Sequence, residues 1–202
     1  IPNYINKDNT PPWNLITDKG ATLGRVLFYD KNLSLNNTIA CASCHQQEFA
    51  FSDTATLSLG RTGGLTGRHA MRLVNSRFGD EEAFFWDERA NTLEEQTTQP
   101  IQDHVEMGFS GTMDDPGFDS LIRKMEAIPY YQRLFPEVYG DSIITEDRIQ
   151  RAMAQFIRSI QSFDSKYDIG RAMAANNGMP FQNFTMQENQ GKALFMTPAP
   201  QG

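Results

Sequence analysis

The residues with the clearest chemical potential are Cys41 and Cys44, followed directly by His45. They form the pattern C-x-x-C-H, the attachment site of a c-type haem. The spacing matters because two thiols must reach the two vinyl groups on one edge of the porphyrin, and the adjacent imidazole must then lie under the iron as its proximal ligand. The motif therefore predicts one haem c, bound covalently through both cysteines and coordinated by His45.

Three other interpretations compete for these residues. A structural zinc ion requires four ligands, and no second Cys/His pair stands at ligand spacing in the sequence. A thioredoxin-type redox pair belongs in a βαβ unit, and the flanking sequence has no strand-rich run. The third is coincidence. Both cysteines of the 202-residue chain lie in this motif, which favours the haem.

Composition limits the partners of the chain. A length of 202 residues allows one large domain, or one domain and part of another. The net charge of -7 argues against nucleic acid and anionic membrane surfaces, and favours a small basic redox partner. No apolar run approaches the roughly 18 residues of a membrane-spanning helix, so no membrane insertion is expected.

The beginning of the chain bears on localisation. The start, Ile1-Pro2-Asn3-Tyr4, has neither the basic nor the apolar region of a signal peptide. Covalent haem attachment normally takes place outside the bacterial cytoplasm. A mature, exported, periplasmic protein is therefore expected.

Helix signals are spread along the chain. Thr17 can cap a helix that runs to about Tyr29. Two capping boxes, Thr92-x-x-Glu95 and Thr185-x-x-Glu188, predict helices that run to about Gln99 and through Phe195. Residues 119–134 are also predicted to be helical, with an interruption near Pro129.

The strongest helix signal follows Thr145. Five apolar residues recur there on one broad face, as core packing requires: Ile149, Met153, Phe156, Ile157 and Ile160. Residues 30–40, 51–72 and 108–117 have the composition of loops. No alternating strand pattern and no internal repeat is present. The predicted class is mainly α, with unusually long loops.

Several blocks of sequence, in the same order, resemble the amino-terminal domain of the bacterial dihaem cytochrome c peroxidases. These blocks are Leu23–Asp30, Leu33-Ser34, Cys41–His45, Phe49–Asp53, Phe84–Arg89, Thr92–Gln96, Pro100–Asp103 and Val105–Gly108. Two more, Phe156–Ile160 and Gly191–Phe195, resemble the approach to the second haem domain of the family. The resemblance implies a cytochrome c-like peroxidatic haem domain over residues 1–164 and the start of a truncated second domain over residues 165–202.

The resemblance also implies roles for individual residues. His45 would be the proximal ligand of the peroxide-reacting haem, while Gln96 and Glu106 would form the distal pair. A carboxylate above the open face of the iron can move a proton between the two peroxide oxygens, and the Gln96 amide can donate to the developing negative charge. Phe85 and Trp86 match aromatic positions between the two haems, with Trp86 as the candidate electron relay.

Three further residues receive roles by resemblance. Asn75 matches a residue that helps to hold a calcium ion, whose other ligands would lie beyond residue 202. His69 is a candidate for a removable sixth ligand of the iron, and the alternative is a loop histidine bonded to the backbone. His104 stands where the family commonly has proline. It could tune Glu106 or compete for the iron, and the simpler alternative is a surface substitution.

The implied function is reduction of hydrogen peroxide to water, with electrons from a small cytochrome c or copper protein. A complete family member carries a second C-x-x-C-H and a methionine ligand, which are not in these 202 residues, so a fragment of a two-haem protein is expected. Members are often homodimers. The alternatives are a MauG-like haem enzyme that oxidises a partner protein, and a c-type electron-transfer cytochrome without catalysis. A simple carrier has no use for Glu106 and Gln96 above the iron.

Overall fold

The computed structural model describes residues 1–79 and 83–197, which are mainly helical. Its α-helices are α1 (Asp18–Tyr29), α2 (Cys41–Cys44), α3 (Leu93–Thr98), α4 (Phe118–Glu126), α5 (Tyr131–Tyr139), α6 (Glu146–Ser159), α7 (Lys166–Met173) and α8 (Met186–Met196). Short 3-10 turns cover Lys31–Leu33, Gln47–Phe49 and Ser76–Phe78. Among the described residues, β-pairing is limited to isolated bridges. The predicted class is confirmed.

Side-chain caps begin the helices that the sequence predicts. The Thr17 hydroxyl accepts a hydrogen bond from the Gly20 N–H (3.0 Å), and the capping box of Thr185 and Glu188 is complete. The box predicted at Thr92 is only half formed. The Thr92 hydroxyl accepts from the Glu95 N–H, but the Glu95 carboxylate accepts from the backbone N–H of Asn91 instead of that of Thr92.

The structure goes beyond the prediction in two helical regions. The interruption predicted near Pro129 is confirmed, since α4 ends at Glu126 and α5 begins at Tyr131, but α5 continues past the predicted end at residue 134 to Tyr139. Helix α5 ends where Gly140 adopts a φ of +82°, which suits glycine. Helix α7 was not predicted. Its capping box pairs Ser165 with Asp168, an acid shorter than the usual glutamate.

The chain divides into two compact units. The larger unit is Lys7–Gln161, and the smaller one combines Ile1–Asn6 with the chain from Ser162 onward. Residues 198–202, which belong to the predicted second domain, lie outside the described residues. Inside the smaller unit, the Tyr4 hydroxyl donates to Asp168 (2.7 Å). No helix of the described chain is both long enough and apolar enough to cross a membrane.

Two apolar clusters fill the larger unit. The first is formed mainly by α1, α4, α5 and α6, and contains Leu23, Leu27, Leu121, Met125, Phe135, Ile149 and Met153. The second adjoins α2 and contains Phe28, Phe51, Leu73, Leu93, Ala154, Phe156 and Ile157. Residues of α6 enter both clusters. The apolar face predicted for this helix is therefore confirmed as core packing.

Helix α1 packs on α6 at very close range. A Cβ atom added at Gly24 would lie 1.9 Å from the backbone oxygen of Ala152, so only glycine allows the two backbones to approach in this way. The close crossing brings Leu23 and Leu27 of α1 into the first cluster.

A buried ion pair joins α3 to α6. The Arg158 guanidinium donates to both oxygens of the Glu94 carboxylate, at 2.6 and 3.0 Å, and both side chains are almost fully buried. Asn14 donates to the same carboxylate (2.6 Å), while Asn9 accepts from the Arg158 Nε–H (3.1 Å). The pair therefore also fixes the segment that leads into α1. Arg158 and Asn14 hold the pKa of Glu94 below its ordinary value, although burial acts in the opposite direction.

We expect Gly24→Ala to destabilise the protein by about 1–3 kcal/mol or more, because the added methyl group overlaps a backbone atom that cannot move alone. Denaturant unfolding measures the change. Gly191→Ala is the matched control, because nothing in the described structure lies within 4 Å of its added Cβ and alanine is the better helix former. Equal stability of Gly24→Ala and the wild type would contradict the close crossing.

We expect Glu94→Gln to cost about 3–5 kcal/mol, since it leaves the Arg158 charge buried without its partner. The lowered pKa of Glu94 sets the direction of the pH dependence. The ionised carboxylate stabilises the fold above the ordinary carboxyl pKa, and this stabilisation is lost as the pH falls toward the lower pKa that Glu94 has in the folded protein. Unfolding measured against pH should show this acid-dependent loss in the wild type but not in the variant. The double variant Glu94→Leu/Arg158→Met should lose less free energy of unfolding than Glu94→Gln. If the losses of the single variants Glu94→Leu and Arg158→Met simply add up to the loss of the double variant, the two residues are not a coupled pair.

Candidate haem site

The two cysteines lie on one helical turn. The Ser43 hydroxyl accepts from the Ala40 N–H (3.0 Å), and the His45 N–H donates to the Cys41 carbonyl (2.9 Å), which closes the turn. Residues three apart on a helix share a face, so the spacing of the motif places both thiols on one wall. Burial raises the pKa of Cys41 to about 12 and also raises the pKa of Cys44, so both are neutral thiols at pH 7.

The ring of His45 is oriented by the backbone of Phe51. Nδ1 lies 2.9 Å from the Phe51 carbonyl oxygen, and because a carbonyl can only accept, Nδ1 carries the proton. Burial lowers the pKa of His45, although hydrogen bonds to the Phe51 and Met71 backbones oppose this effect. The neutral ring therefore has its lone pair on Nε2, the nitrogen that a proximal iron ligand uses.

The Phe51 carbonyl is placed by a strained turn. Ala50 and Phe51 both have left-handed φ values, +57° and +58°, which disfavour residues with a Cβ atom. Hydrogen bonds between Gln46 and Ser52 close the turn. The Ser52 hydroxyl donates to the Ala70 carbonyl (2.7 Å) and lies 3.1 Å from Nε2 of His69. These contacts link the turn to the chain around residue 70.

Two adjoining cavities lie beside the haem motif. One has a volume of about 60 Å³ and is lined by both cysteines, and the other has about 730 Å³. The larger volume lies within the range of cofactor pockets. Seven residues line both cavities: Cys44, His45, Thr66, Leu73, Gln96, Pro100 and Glu106. The structure thus brings the predicted distal pair to the same cavities as the attachment motif, across about 60 residues of sequence.

Glu106 is half-buried at these cavities. Burial and the neighbouring charge of Asp103 raise its pKa to about 7, while the Arg89 charge lowers it. Its backbone is held by a turn in which the Asp103 carboxylate accepts from the N–H groups of Val105 (2.8 Å) and Glu106 (2.9 Å). A carboxyl group that titrates near pH 7 can both accept and return a proton at neutral pH.

Gln96 reaches the cavities from the short helix α3. Glu94, two residues earlier, is tied to Arg158 on α6. Because Glu94 and Gln96 stand on different sides of the same short helix, the ion pair also fixes the backbone that carries the amide.

The aromatic pair, Phe85 and Trp86, contributes to the wall of the larger cavity. The Trp86 side chain is exposed, and its indole N–H donates to the His69 carbonyl (2.9 Å). The Arg89 guanidinium lies 3.5 Å from the centre of the Phe85 ring. All four residues line the larger cavity. The sequence assigns no role to Arg89. The only signal for one is that Arg89 belongs to the Phe84–Arg89 block, which resembles the family.

The remaining predicted residues are His69, His104 and Asn75, of which His69 lines the larger cavity and the other two line neither cavity. Both ring nitrogens of His69 have partners, Ser52 and the Ala55 carbonyl, so this ring would have to leave them to bind iron. His104 is bonded to Asp115 (2.6 Å). Asn75 has a φ of +61° and precedes the turn Ser76–Phe78. Residues 1–79 and 83–197 contain no group of three or more His, Cys, Asp or Glu that could hold a metal ion.

These features fit a c-type haem. The larger cavity is bordered by the His45 imidazole, whose Nδ1 is held by the Phe51 carbonyl. The adjoining cavity is bordered by both thiols, and the walls of the two cavities are largely apolar. Cys41 and Cys44 would hold the porphyrin and His45 would hold the iron. The fold and the site thus define a helical, haem-binding protein of the cytochrome c type.

Comparison with known proteins agrees with this class. The sequence pattern of the di-haem cytochrome c peroxidase family matches residues 18–176. The chain therefore belongs to this family, whose members are haem oxidoreductases and include both cytochrome c peroxidases and MauG proteins. Membership implies c-type haem.

Individual relatives come from both branches. The chain is 36% identical to the methylamine utilization protein MauG of Methylophilus methylotrophus, over 78% of this chain and 44% of that protein. It is 33% identical to the cytochrome c551 peroxidase of Nitrosomonas europaea, over 73% of this chain and 42% of that protein. The chain thus spans less than half the length of these two relatives.

Solved structures show the same fold. A MauG-like protein associated with microbial copper homeostasis superposes with a TM-score of 0.77 at 32% identity, over 98% of this chain and 54% of that one. The diheme peroxidase BthA of Burkholderia thailandensis gives a TM-score of 0.70 at 27% identity, over 92% of this chain and 48% of that one.

We expect Ser52→Ala to cost about 0.5–1.5 kcal/mol, because the half-buried Ala70 carbonyl loses the hydrogen bond that Ser52 donates. The Phe51 turn should loosen, which weakens the hydrogen bond from His45 Nδ1 and makes the imidazole a poorer electron donor. The haem-loaded variant should therefore have a higher midpoint potential in a spectroelectrochemical titration. Ser142→Ala, at an exposed position, is the control. An unchanged potential in a folded Ser52→Ala variant would show that the turn does not tune His45.

Proposed function

We propose that this chain contains the peroxide-reacting site of a periplasmic haem peroxidase, which reduces hydrogen peroxide to water with electrons from a small cytochrome c or copper protein. The observation that carries the proposal is the presence of Glu106, with a pKa of about 7, at the same cavities as His45. A simple electron carrier does not need such a carboxyl group.

Bound haem c would supply the redox-active iron at which peroxide is reduced. The residues of the chain supply binding, orientation and proton transfer. Cys41 and Cys44 would hold the cofactor through thioether bonds, and His45 would bind the iron through Nε2, because its Nδ1 is held by the Phe51 carbonyl. The ionised carboxylate of Glu106 accepts a proton from peroxide and returns it to the departing oxygen, while the Gln96 amide donates to the charge that develops. Reduction consumes two electrons and two protons and yields two waters.

Hydrogen bonds offer a route for electrons from the exposed Trp86 to His45. The indole N–H bonds to the His69 carbonyl, and the next carbonyl, of Ala70, bonds to Ser52. The residue before Ser52 is Phe51, whose carbonyl accepts from His45. The net charge of -7 suits a basic electron donor.

Other parts of the proposal depend on the family. The chain contains one attachment motif, so a second haem would bind outside these 202 residues. A calcium ion at Asn75, a homodimer, and the division into a haem domain over residues 1–164 and a second domain from residue 165 also remain proposals. His69 as a sixth ligand would require the release of Ser52 and Ala55.

A second candidate is oxidation of an amino acid on a partner protein. It is favoured by the 36% identity to a MauG protein and by the similarity to a MauG-like structure. The same Glu106 and Gln96 would serve it. Peroxide with reduced small cytochrome c separates the two functions, because a peroxidase oxidises many equivalents of the cytochrome, whereas a partner-modifying enzyme leaves a covalently altered protein that mass spectrometry detects.

We expect Glu106→Gln to slow the reaction of the reduced, haem-loaded protein with hydrogen peroxide by about 10²–10⁴-fold, because the proton acceptor is lost. The raised pKa fixes the pH dependence: the wild-type rate should rise through about pH 7 as the carboxyl ionises, and the variant should lose this rise. Stopped-flow absorbance measures both.

The matched control is Glu48→Gln, which removes an exposed carboxylate close to the haem motif. It should react like the wild type. If Glu106→Gln also reacts like the wild type at every pH, the proposed role of Glu106 is wrong.

A further inference from the structure

The loop that carries Glu106 is held from one side by Arg61. The backbone N–H of Arg61 donates to the carbonyl oxygens of Val105 (3.1 Å) and Glu106 (3.0 Å). Its side-chain Nε–H donates to the carbonyl of His104 (3.0 Å). Three successive residues of the loop are therefore bonded to this one arginine.

Arg61 is in turn held by Asp115. The guanidinium donates to one oxygen of the Asp115 carboxylate at 2.7 Å, and Nδ1 of His104 donates to the other oxygen at 2.6 Å. The arginine and aspartate side chains are only 12% and 8% exposed, so water competes weakly for these bonds. Asp115 thus connects the arginine to the same loop a second time.

Two glycines show how closely the chain around Arg61 packs against the loop that carries Glu106. A Cβ atom at Gly60 would lie 2.0 Å from the Val105 oxygen, and one at Gly108 would lie 2.2 Å from Arg61 Nε. Gly108 also has a φ of +88°, which an L-residue rarely adopts. The chain therefore has glycine at both points where Arg61 and the Glu106 loop meet.

Neither Arg61 nor Asp115 lines the two cavities, whereas Glu106 lines both. Any effect of the pair on chemistry must act through the loop. We propose that Arg61 and Asp115 are positioning residues of the peroxide reaction, which hold the backbone of residues 104–106 so that the Glu106 carboxyl stays at the haem cavity. This inference rests on the proposed function of Glu106.

A loosened loop should change the environment of Glu106 in a definite direction. Burial is the largest cause of its raised pKa, Asp103 adds to it and Arg89 opposes it. Cys41 and Cys44 also lie within electrostatic range of Glu106, but in the haem-loaded protein both would be uncharged thioethers. Water that enters around a displaced carboxyl would weaken the effect of burial, so the pKa should fall toward the ordinary carboxyl value.

The test uses the haem-loaded protein and three variants: Arg61→Met, Arg61→Lys and Asp115→Asn. Lysine keeps a charge near Asp115 but lacks the Nε–H that bonds to His104, so it separates charge from geometry. The control is Arg148→Lys, which alters another Arg–Asp pair of the larger unit, and neither Arg148 nor its partner Asp141 lines the two cavities. The readouts are the peroxide rate against pH, the infrared titration of the protonated carboxyl of Glu106 (identified by subtracting Glu106→Gln), amide hydrogen exchange over residues 104–108, and thermal unfolding.

We expect Arg61→Met and Asp115→Asn to lower the Glu106 titration midpoint by about one pH unit, to speed exchange in residues 104–108, and to reduce the peroxide rate at least ten-fold. Arg61→Lys should fall between Arg61→Met and the wild type, and the control should match the wild type. If Arg61→Met fails to fold, Asp115→Asn and Arg61→Lys still test the pair from its two sides.

Two failures are distinguishable. An unchanged titration midpoint and unchanged exchange in folded Arg61 and Asp115 variants would overturn the positioning role, even where Glu106→Gln abolishes the reaction. If instead the variants shift the midpoint while Glu106→Gln leaves the peroxide rate intact, the proposed function of Glu106 is overturned and the positioning role in that reaction with it.

Discussion

The bidentate pair of Glu94 and Arg158 is the interaction on which the arrangement of the larger unit depends. Two opposite charges are almost fully withdrawn from water, so each requires the other in place. Through the pair and its amide neighbours, Asn9 and Asn14, the leading segment, α3 and α6 are tied at one point. Helix α3 carries Gln96 to the cavity and α6 contributes Met153 and Ile157 to its wall. The Glu94–Arg158 pair therefore both stabilises the fold and fixes the positions of the helices that line the site.

The other site residues lie on or against loops, and hydrogen bonds to backbone carbonyl groups fix their positions. On one side, the carbonyl of Phe51 orients His45 from a turn with two left-handed residues. On the other, the carbonyls of residues 104–106 are bonded to Arg61. Few strand pairings support these loops in the described chain, so side chains such as Ser52 and Asp115 supply the fixed partners. This arrangement explains how a chain with long loops can keep a defined cavity.

Burial gives the site its chemical character. It lowers the pKa of His45, and it raises the pKa values of Cys41 and Glu106. The directions differ because burial disfavours whichever form is charged, the imidazolium on one side and the thiolate or carboxylate on the other. One physical cause thus leaves an imidazole with a lone pair, thiols in the neutral form, and a carboxyl that titrates near neutral pH.

The sequence by itself determined the attachment motif, the mainly α class, the caps of α1 and α8, the apolar face of α6, and membership in the haem peroxidase family. All of these depend on residue type and on spacing within a short stretch, where side-chain chemistry and helical periodicity act locally. The capping box at Thr92 and the missed α7 show that such local rules fail when a neighbouring donor or a shorter acid takes the expected place.

Only the tertiary structure decided which groups meet. The pairing of Glu94 with Arg158 and of Arg61 with Asp115 joins residues 64 and 54 positions apart. A charged residue in a sequence gives no sign of whether its partner is water or another buried charge. The Phe51 carbonyl and the backbone of residues 104–106 carry no side-chain signature at all. Their roles exist because the folded chain brings a donor to each of them and excludes water from the contact.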